Sequence, residues 1–248
     1  MSLKKQIPNI ITLLNLFSGC LAVYFACVNR LPLAALFTAL GIFFDFFDGF
    51  FARLFNANSA LGLQLDSLAD MVTSGVVPGM FMFQLMLQSK EINDSFPIET
   101  IGWNVIEWVP FLGFLITLAS CYRLANFNID SRQTSSFIGL PTPANTLLII
   151  SISLINVYQS IPVVQTLLGN IWILFAVTLL SCYLLNAEVR LFALKFKTYT
   201  FKENWVRYLL LLSSVLLIII FRYLGITLTI LMYILLSLVF KTEDAVGK

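Results

Sequence analysis

Apolar residues along the chain come in long unbroken runs, separated by short intervals that hold most of the charges. The runs show neither the period of two of a half-buried strand nor the single apolar stripe of a soluble helix. Tyr208–Phe221, for example, is apolar on every side, with only Ser213 and Ser214 to interrupt it. A helix of about 20 apolar residues bridges the hydrocarbon of a bilayer. Eight runs approach that length, at 9–29, 33–54, 66–89, 108–126, 141–160, 165–186, 205–221 and 223–240. A transmembrane β-barrel, the other closed solution, would show alternating segments of about ten residues. The pattern therefore predicts an all-α fold, a polytopic transmembrane bundle of about eight membrane helices, with residues 1–248 as a single integral membrane domain.

Composition agrees. Hydrophobic residues make up 59% of the chain and charged residues 11%, against about 45–50% and 25% in soluble proteins. The first run starts close to Lys4 and Lys5, as a signal peptide would. It is too long for one and ends at no small-residue cleavage site, so an uncleaved helix is expected. Cys20, Cys27, Cys121 and Cys182 fall inside runs without a CxxC spacing and read as small packing residues. The chain has no histidine, so proton chemistry falls to carboxylates, Tyr, Cys or Lys.

The charges fix an orientation. With both termini on one side, that side carries 12 of the 15 lysines and arginines, and the other has only Arg30, Lys90 and Arg222. The loop at 90–107 is instead acidic, with Glu91, Asp94, Glu99 and Glu107. The excess of positive charge on cytoplasmic loops then places both termini in the cytoplasm and the protein in the cell membrane. The bilayer is its expected surrounding, and no nucleic-acid partner is expected. The interval Ala187–Asn204 mixes Arg and Lys with Leu191, Phe192, Leu194 and Phe196. It reads as a positively charged loop or as a segment lying on the membrane surface.

Four acids stand where hydrocarbon should exclude them. Asp45, Asp48, Asp66 and Asp70 lie within one predicted helical hairpin, with Arg53 as the single nearby base. A carboxylate at the centre of a membrane helix costs roughly 2.5–3.5 kcal/mol on insertion scales, and one arginine cannot neutralise four. At about 100° per residue, Asp45, Asp48, Gly49 and Ala52 share one face. Gly62, Asp66 and Asp70 form a second stripe, provided the helix begins by Gly62. Asp48 lies about 22 Å from the outer end of its span at 1.5 Å per residue, near the cytoplasmic side, where the third span begins. Facing stripes of hard oxygen ligands suit Mg²⁺ or Mn²⁺ together with substrate phosphates. Two such ions would polarise a phosphoryl group and stabilise its leaving oxygen. Small residues at Gly49 and Ala52 leave that face open, although small residues also serve close helix packing.

The segment Asp45–Asp70, DFFDGFFARLFNANSALGLQLDSLAD, fits D-x2-D-G-x2-A-R-x8-G-x3-D-x3-D at every fixed position. It resembles the signature of the CDP-alcohol phosphotransferase family. The flanking segments PNIITLLNLFSGCLAV, RLANFNID and FIGLPTPA resemble the members of that family that use serine. The likeness covers roughly residues 8–145, with Asn126 where an arginine is often found, and residues 1–160 are expected to form the catalytic core, 161–248 additional helices. The resemblance implies that Asp45, Asp48 and Asp66 bind two divalent ions, with Asp70 assisting and acting as general base. It implies that Gly49, Ala52 and Arg53 contact the CDP moiety, that CDP-diacylglycerol and L-serine are the substrates, and that the protein is a homodimer. Serine brings a carboxylate that suits a guanidinium; Arg123 and Arg132 are the candidates, equally readable as a positive flank. Asn15, Ser18, Asn126 and Asn128 could hydrogen-bond nucleotide or acceptor, or tie helices together. Two other readings remain open at this point: another acceptor, such as glycerol 3-phosphate or inositol phosphate, and a cation transporter with intramembrane aspartates.

Overall fold

The computed structural model describes residues 6–93, 105–130, 136–159, 161–192 and 200–240. The helices are α1 Ile7–Cys27, α2 Leu31–Leu54, α3 Ala60–Leu87, α4 Ile106–Ile129, α5 Thr142–Tyr158, α6 Pro162–Leu168, α7 Ile171–Asn186, α8 Phe201–Phe221 and α9 Tyr223–Val239. Each of the eight apolar runs is largely helical over its described residues. Five helices (α1 to α4, and α8 over Asn204–Phe221) are long and apolar enough to cross a bilayer, and α6 with α7 makes a sixth if the pair is one broken span. α5 and α9 are apolar but shorter, at 17 residues each.

Burial is inverted relative to a soluble helix. On α1, Asn15 is 0% and Ser18 5% exposed, whereas Ile10 and Phe17 are 53% and 61% exposed. Small and polar residues let membrane helices approach closely, while large apolar ones face outward. Three of the four unpaired cysteines, Cys20, Cys27 and Cys121, also lie on the outer surface, not in the packed interior expected for them.

α1 and α2 form a tight antiparallel pair. Asn29 takes the left-handed conformation (φ 56°), which lets Arg30 N–H bond back to the Phe25 carbonyl at 2.8 Å and ends α1. α3 is interrupted by a π-helical turn, Met71–Val76, directly after Asp70. Pro78 explains part of it: with no N–H, it cannot serve the carbonyl of Ser74 four residues back. The hydroxyl of Thr146 on α5 lies 3.1 Å from that carbonyl and 2.9 Å from the Thr142 carbonyl, its one proton shared between them, and Thr117 on α4 donates to the Gly75 carbonyl at 3.0 Å. Irregular backbone at membrane depth needs such partners.

Two features correct the expectations from sequence. The run 165–186 is not one straight helix: it bends by 79° between α6 and α7. Asn170 starts the second piece by accepting from Trp172 N and Ile173 N. The all-α bundle also carries one short ribbon, which changes the reading of 187–204. Strands β1, Ser136–Ile138, and β2, Arg190–Phe192, pair antiparallel with Phe137 opposite Leu191. Leu191 and Phe192 are therefore buried, at 2% and 3% exposure, and not spread on a membrane surface; residues 193–199 of that interval lie outside the described residues. The buried residues form two cores, one centred on α1 to α5 and α7, and one in which Leu191 and Phe192 of β2 pack with α8 and α9.

Candidate active site

The site is built where α1, the C-terminal half of α2 and the N-terminal half of α3 meet. The α2–α3 connection is five residues, turned by Asn56 at φ 48°. Ser59 then caps α3, its hydroxyl accepting from Gly62 N at 3.0 Å. Starting the helix at Ala60 puts Gly62, Asp66 and Asp70 on one face, as the spacing requires, and α2 presents Asp45 and Asp48 one turn apart.

The structure brings these stripes together. Carboxylate oxygens of Asp45, Asp48 and Asp66 lie within 4.8 Å of one another. The Asp45 carboxyl also lies beside that of Asp70. Asp48 is buried and accepts the Thr12 hydroxyl at 2.5 Å. Asp70 takes a longer contact, 3.4 Å, from the Asn15 amide. Among the described residues no lysine or arginine pairs with any of the four. Crowded acids without bases are costly to desolvate, and the donor set is one that suits a hard divalent cation.

Beside the cluster lies a cavity of about 550 Å³, walled by Pro8, Asn9 and Thr12 of α1, Asp48, Gly49, Ala52 and Arg53 of α2, and Asn58, Ser59, Gly62 and Asp66 around the start of α3. That volume is in the range of small-molecule sites. Gly49 is the telling residue. A side chain added there would meet nothing within 4 Å, whereas at Gly19, Gly41 or Gly79 it would collide at 2.6 Å or less. Protein packing accounts for the other three glycines; at Gly49 the free space belongs to the cavity.

The sequence model of the CDP-alcohol phosphatidyltransferase family matches residues 5–182, a span that takes in the aspartates, the cavity and the helices that carry them. The chain belongs to the CDP-alcohol phosphatidyltransferase family.

Relatives within that family can be named. The chain is 36% identical over 143 residues to a CDP-diacylglycerol–serine O-phosphatidyltransferase of Bacillus subtilis, covering 56% of this chain and 70% of that one. It is 29% identical over 145 residues to the protein of the same name from Helicobacter pylori strain J99, covering 58% and 55%. It is 27% identical over 157 residues to the archaetidylserine synthase of Methanothermobacter thermautotrophicus, covering 62% and 60%. The chain thus spans little more than half the length of the last two.

The remaining residues singled out from sequence are placed as follows. Arg53 is exposed at the cavity rim. Arg123 is buried, donating through Nε to the Leu140 carbonyl at 2.5 Å and through Nη2 to the Gly139 carbonyl at 3.1 Å. It thereby holds the turn ahead of α5. Arg132 lies outside the described residues. Asn128 donates to Ser67 at 2.8 Å, tying α4 to α3 one residue from Asp66, and Asn126 is exposed. Sequence reasoning missed Pro8, Asn9 and Thr12. The signal was present: Thr12 sits four residues after Pro8 and three before Asn15, on one face of an otherwise apolar helix.

Proposed function

We propose that this family member transfers the phosphatidyl group of CDP-diacylglycerol to the hydroxyl of L-serine, forming phosphatidylserine and CMP. The observation that carries the reading is the set of four aspartates, with no lysine or arginine against them among the described residues, beside a cavity whose wall is left open at Gly49. The choice of serine rests on the names of the relatives. The archaetidylserine synthase among them favours a second reading for the donor alone, an ether lipid in place of the diacyl one.

The aspartates fit two divalent ions, Mg²⁺ or Mn²⁺: Asp45, Asp48 and Asp66 would hold them, with Asp70 assisting. When bound, such ions supply charge stabilisation for the pyrophosphate and the departing phosphate. Gly49, Ala52 and Arg53 contact the CDP group, and the acyl chains run out between helices. The serine hydroxyl oxygen attacks the phosphorus that bears the diacylglycerol. Its proton passes to the Asp70 carboxylate, the bond from that phosphorus to the bridging oxygen breaks, and CMP leaves with the electron pair. A carboxylate is a weak base toward an alcohol, so proton removal accompanies bond formation and positioning does most of the work. Arg123 and Arg132 take the serine carboxylate; for Arg123 this falls to Nη1 and the second hydrogen of Nη2, since Nε and one Nη2 hydrogen serve backbone carbonyls.

The protein crosses the cytoplasmic membrane eight times with both termini and the site on the cytoplasmic side, as its lysine and arginine distribution supports. Residues 1–160 form the catalytic core, 161–248 are additional helices, and the protein works as a homodimer, by analogy with the family. The test is CMP release by purified protein from CDP-diacylglycerol, with Mn²⁺ or Mg²⁺, with and without L-serine. Metal-dependent release stimulated by serine supports the assignment. Release stimulated only by glycerol 3-phosphate or inositol phosphate replaces the acceptor. No release from folded protein with any acceptor returns the aspartates to cation transport.

A further inference from the structure

Asn15 is wholly buried where α1, α2 and the π-helical turn of α3 converge. The Thr73 hydroxyl donates to Asn15 Oδ1 at 2.7 Å and lies 3.3 Å from the Asn15 backbone carbonyl. A hydroxyl has one proton to give, and the shorter contact takes it. Oδ1 is thereby fixed as the acceptor, so the amide nitrogen must point the other way, toward Asp70, whose Oδ1 it meets at 3.4 Å. The reversed amide would set a carbonyl oxygen against a carboxylate with no proton between them.

The surrounding backbone is shaped for this pair. A side chain on Gly41 would come within 2.6 Å of Thr73 Cγ2 and 3.0 Å of Asn15 Oδ1, and one on Gly19 within 2.5 Å of the Thr73 hydroxyl. Both helices are bare where Thr73 enters. The π-helical turn begins at the residue after Asp70, and such turns recur at functional sites.

We infer that Asn15 and Thr73 are a positioning pair for Asp70: Thr73 orients the Asn15 amide, and the amide holds Asp70 Oδ1 so that Oδ2 faces the reacting hydroxyl. The inference rests on the reading of Asp70 as the base. Neither residue touches substrate; both act through Asp70. A carboxylate free to turn about χ1 and χ2 would spend much of its time with no lone pair directed at the acceptor, and misplacements of this kind cost up to about 100-fold in rate.

The test uses the full chain, purified, with Thr73→Val, which keeps the shape and removes the proton, and Thr73→Ser, which keeps the hydroxyl. Thr73→Val should lower kcat about tenfold or more, with the KM for CDP-diacylglycerol, its binding affinity measured without acceptor, and the thermal midpoint all close to wild type. Thr73→Ser should recover most of kcat. Asn15→Asp, which keeps the acceptor for Thr73 and loses the donor to Asp70, should repeat the kcat loss and serves if Thr73→Val does not fold. Wild-type kcat in Thr73→Val or in Asn15→Asp overturns the inference, as does an equal fall in Thr73→Val and Thr73→Ser. An inactive wild-type protein would sink the function reading and this inference with it; an active wild type beside equally active variants sinks the inference alone.

Discussion

The hydroxyl of Thr12 donates to the carboxylate of Asp48 at 2.5 Å, from one helix to the next, at the wall of the cavity. This contact fixes one of three acids gathered within 4.8 Å, and it comes from a residue outside the family's acidic signature. Groups that orient metal-binding side chains are worth about 10–100-fold in metal affinity or activity. Thr12→Val should therefore raise the Mn²⁺ concentration needed for half-maximal CMP release by about tenfold and leave the thermal midpoint nearly unchanged. Titration of activity with Mn²⁺ checks it, and an unshifted curve would show the contact to be incidental.

Gly49 and Gly41 should respond in opposite ways to a side chain. Nothing lies within 4 Å of an added Cβ at Gly49, whereas at Gly41 it meets Thr73 at 2.6 Å. Gly49→Val should fold as well as wild type and raise the KM for the CDP lipid about tenfold or more, because the valine fills ligand space. Gly41→Ala should lower stability by about 1–3 kcal/mol through overpacking. Thermal unfolding in detergent together with KM separates the two; a destabilised Gly49→Val would argue that the open wall is a packing site after all.

Thr146→Val removes the hydroxyl shared between the Thr142 carbonyl and the Ser74 carbonyl freed by Pro78. Membrane side-chain hydrogen bonds average about 0.6 kcal/mol and reach about 1.7. A loss within that range in reversible unfolding is expected, with kcat falling only as far as the π-helical turn shifts. An unchanged stability would mean that another group takes over the carbonyl.

Asp66 and Asp70 should separate binding from rate. Asp66→Ala should abolish turnover and weaken CDP-diacylglycerol binding in the presence of metal. Asp70→Asn should keep that binding closer to wild type while kcat falls by about 100-fold or more, the usual range for a general base. Equal loss of binding in both variants would remove the separate role for Asp70.

The acids were legible in the sequence because helical spacing is local. Once α3 starts at Ala60, Gly62, Asp66 and Asp70 must share a face, and a five-residue connection must turn that face toward α2. What escaped was set by distant partners. The π-helical turn depends on hydroxyls 42 and 72 residues away in sequence. The strand at Arg190–Phe192 exists only because Ser136–Ile138 lies beside it, and three residues carry no readable alternation. The bend at Gly169–Asn170 was hidden by the apolar residues on both sides. Arg123 reads from sequence equally as a partner for the serine carboxylate or as a flank charge, and only the folded chain shows its guanidinium clasping Gly139 and Leu140.

The most direct test of the central claim is incorporation of labelled L-serine into lipid by purified wild-type protein and by Asp66→Ala, each supplied with CDP-diacylglycerol and Mn²⁺. The account predicts labelled phosphatidylserine from the wild type, lost on chelation of the metal, and none from folded Asp66→Ala. Labelled lipid from Asp66→Ala at the wild-type rate would place the chemistry elsewhere in the molecule, and no labelled lipid from active, CMP-releasing wild type would give the site a different acceptor.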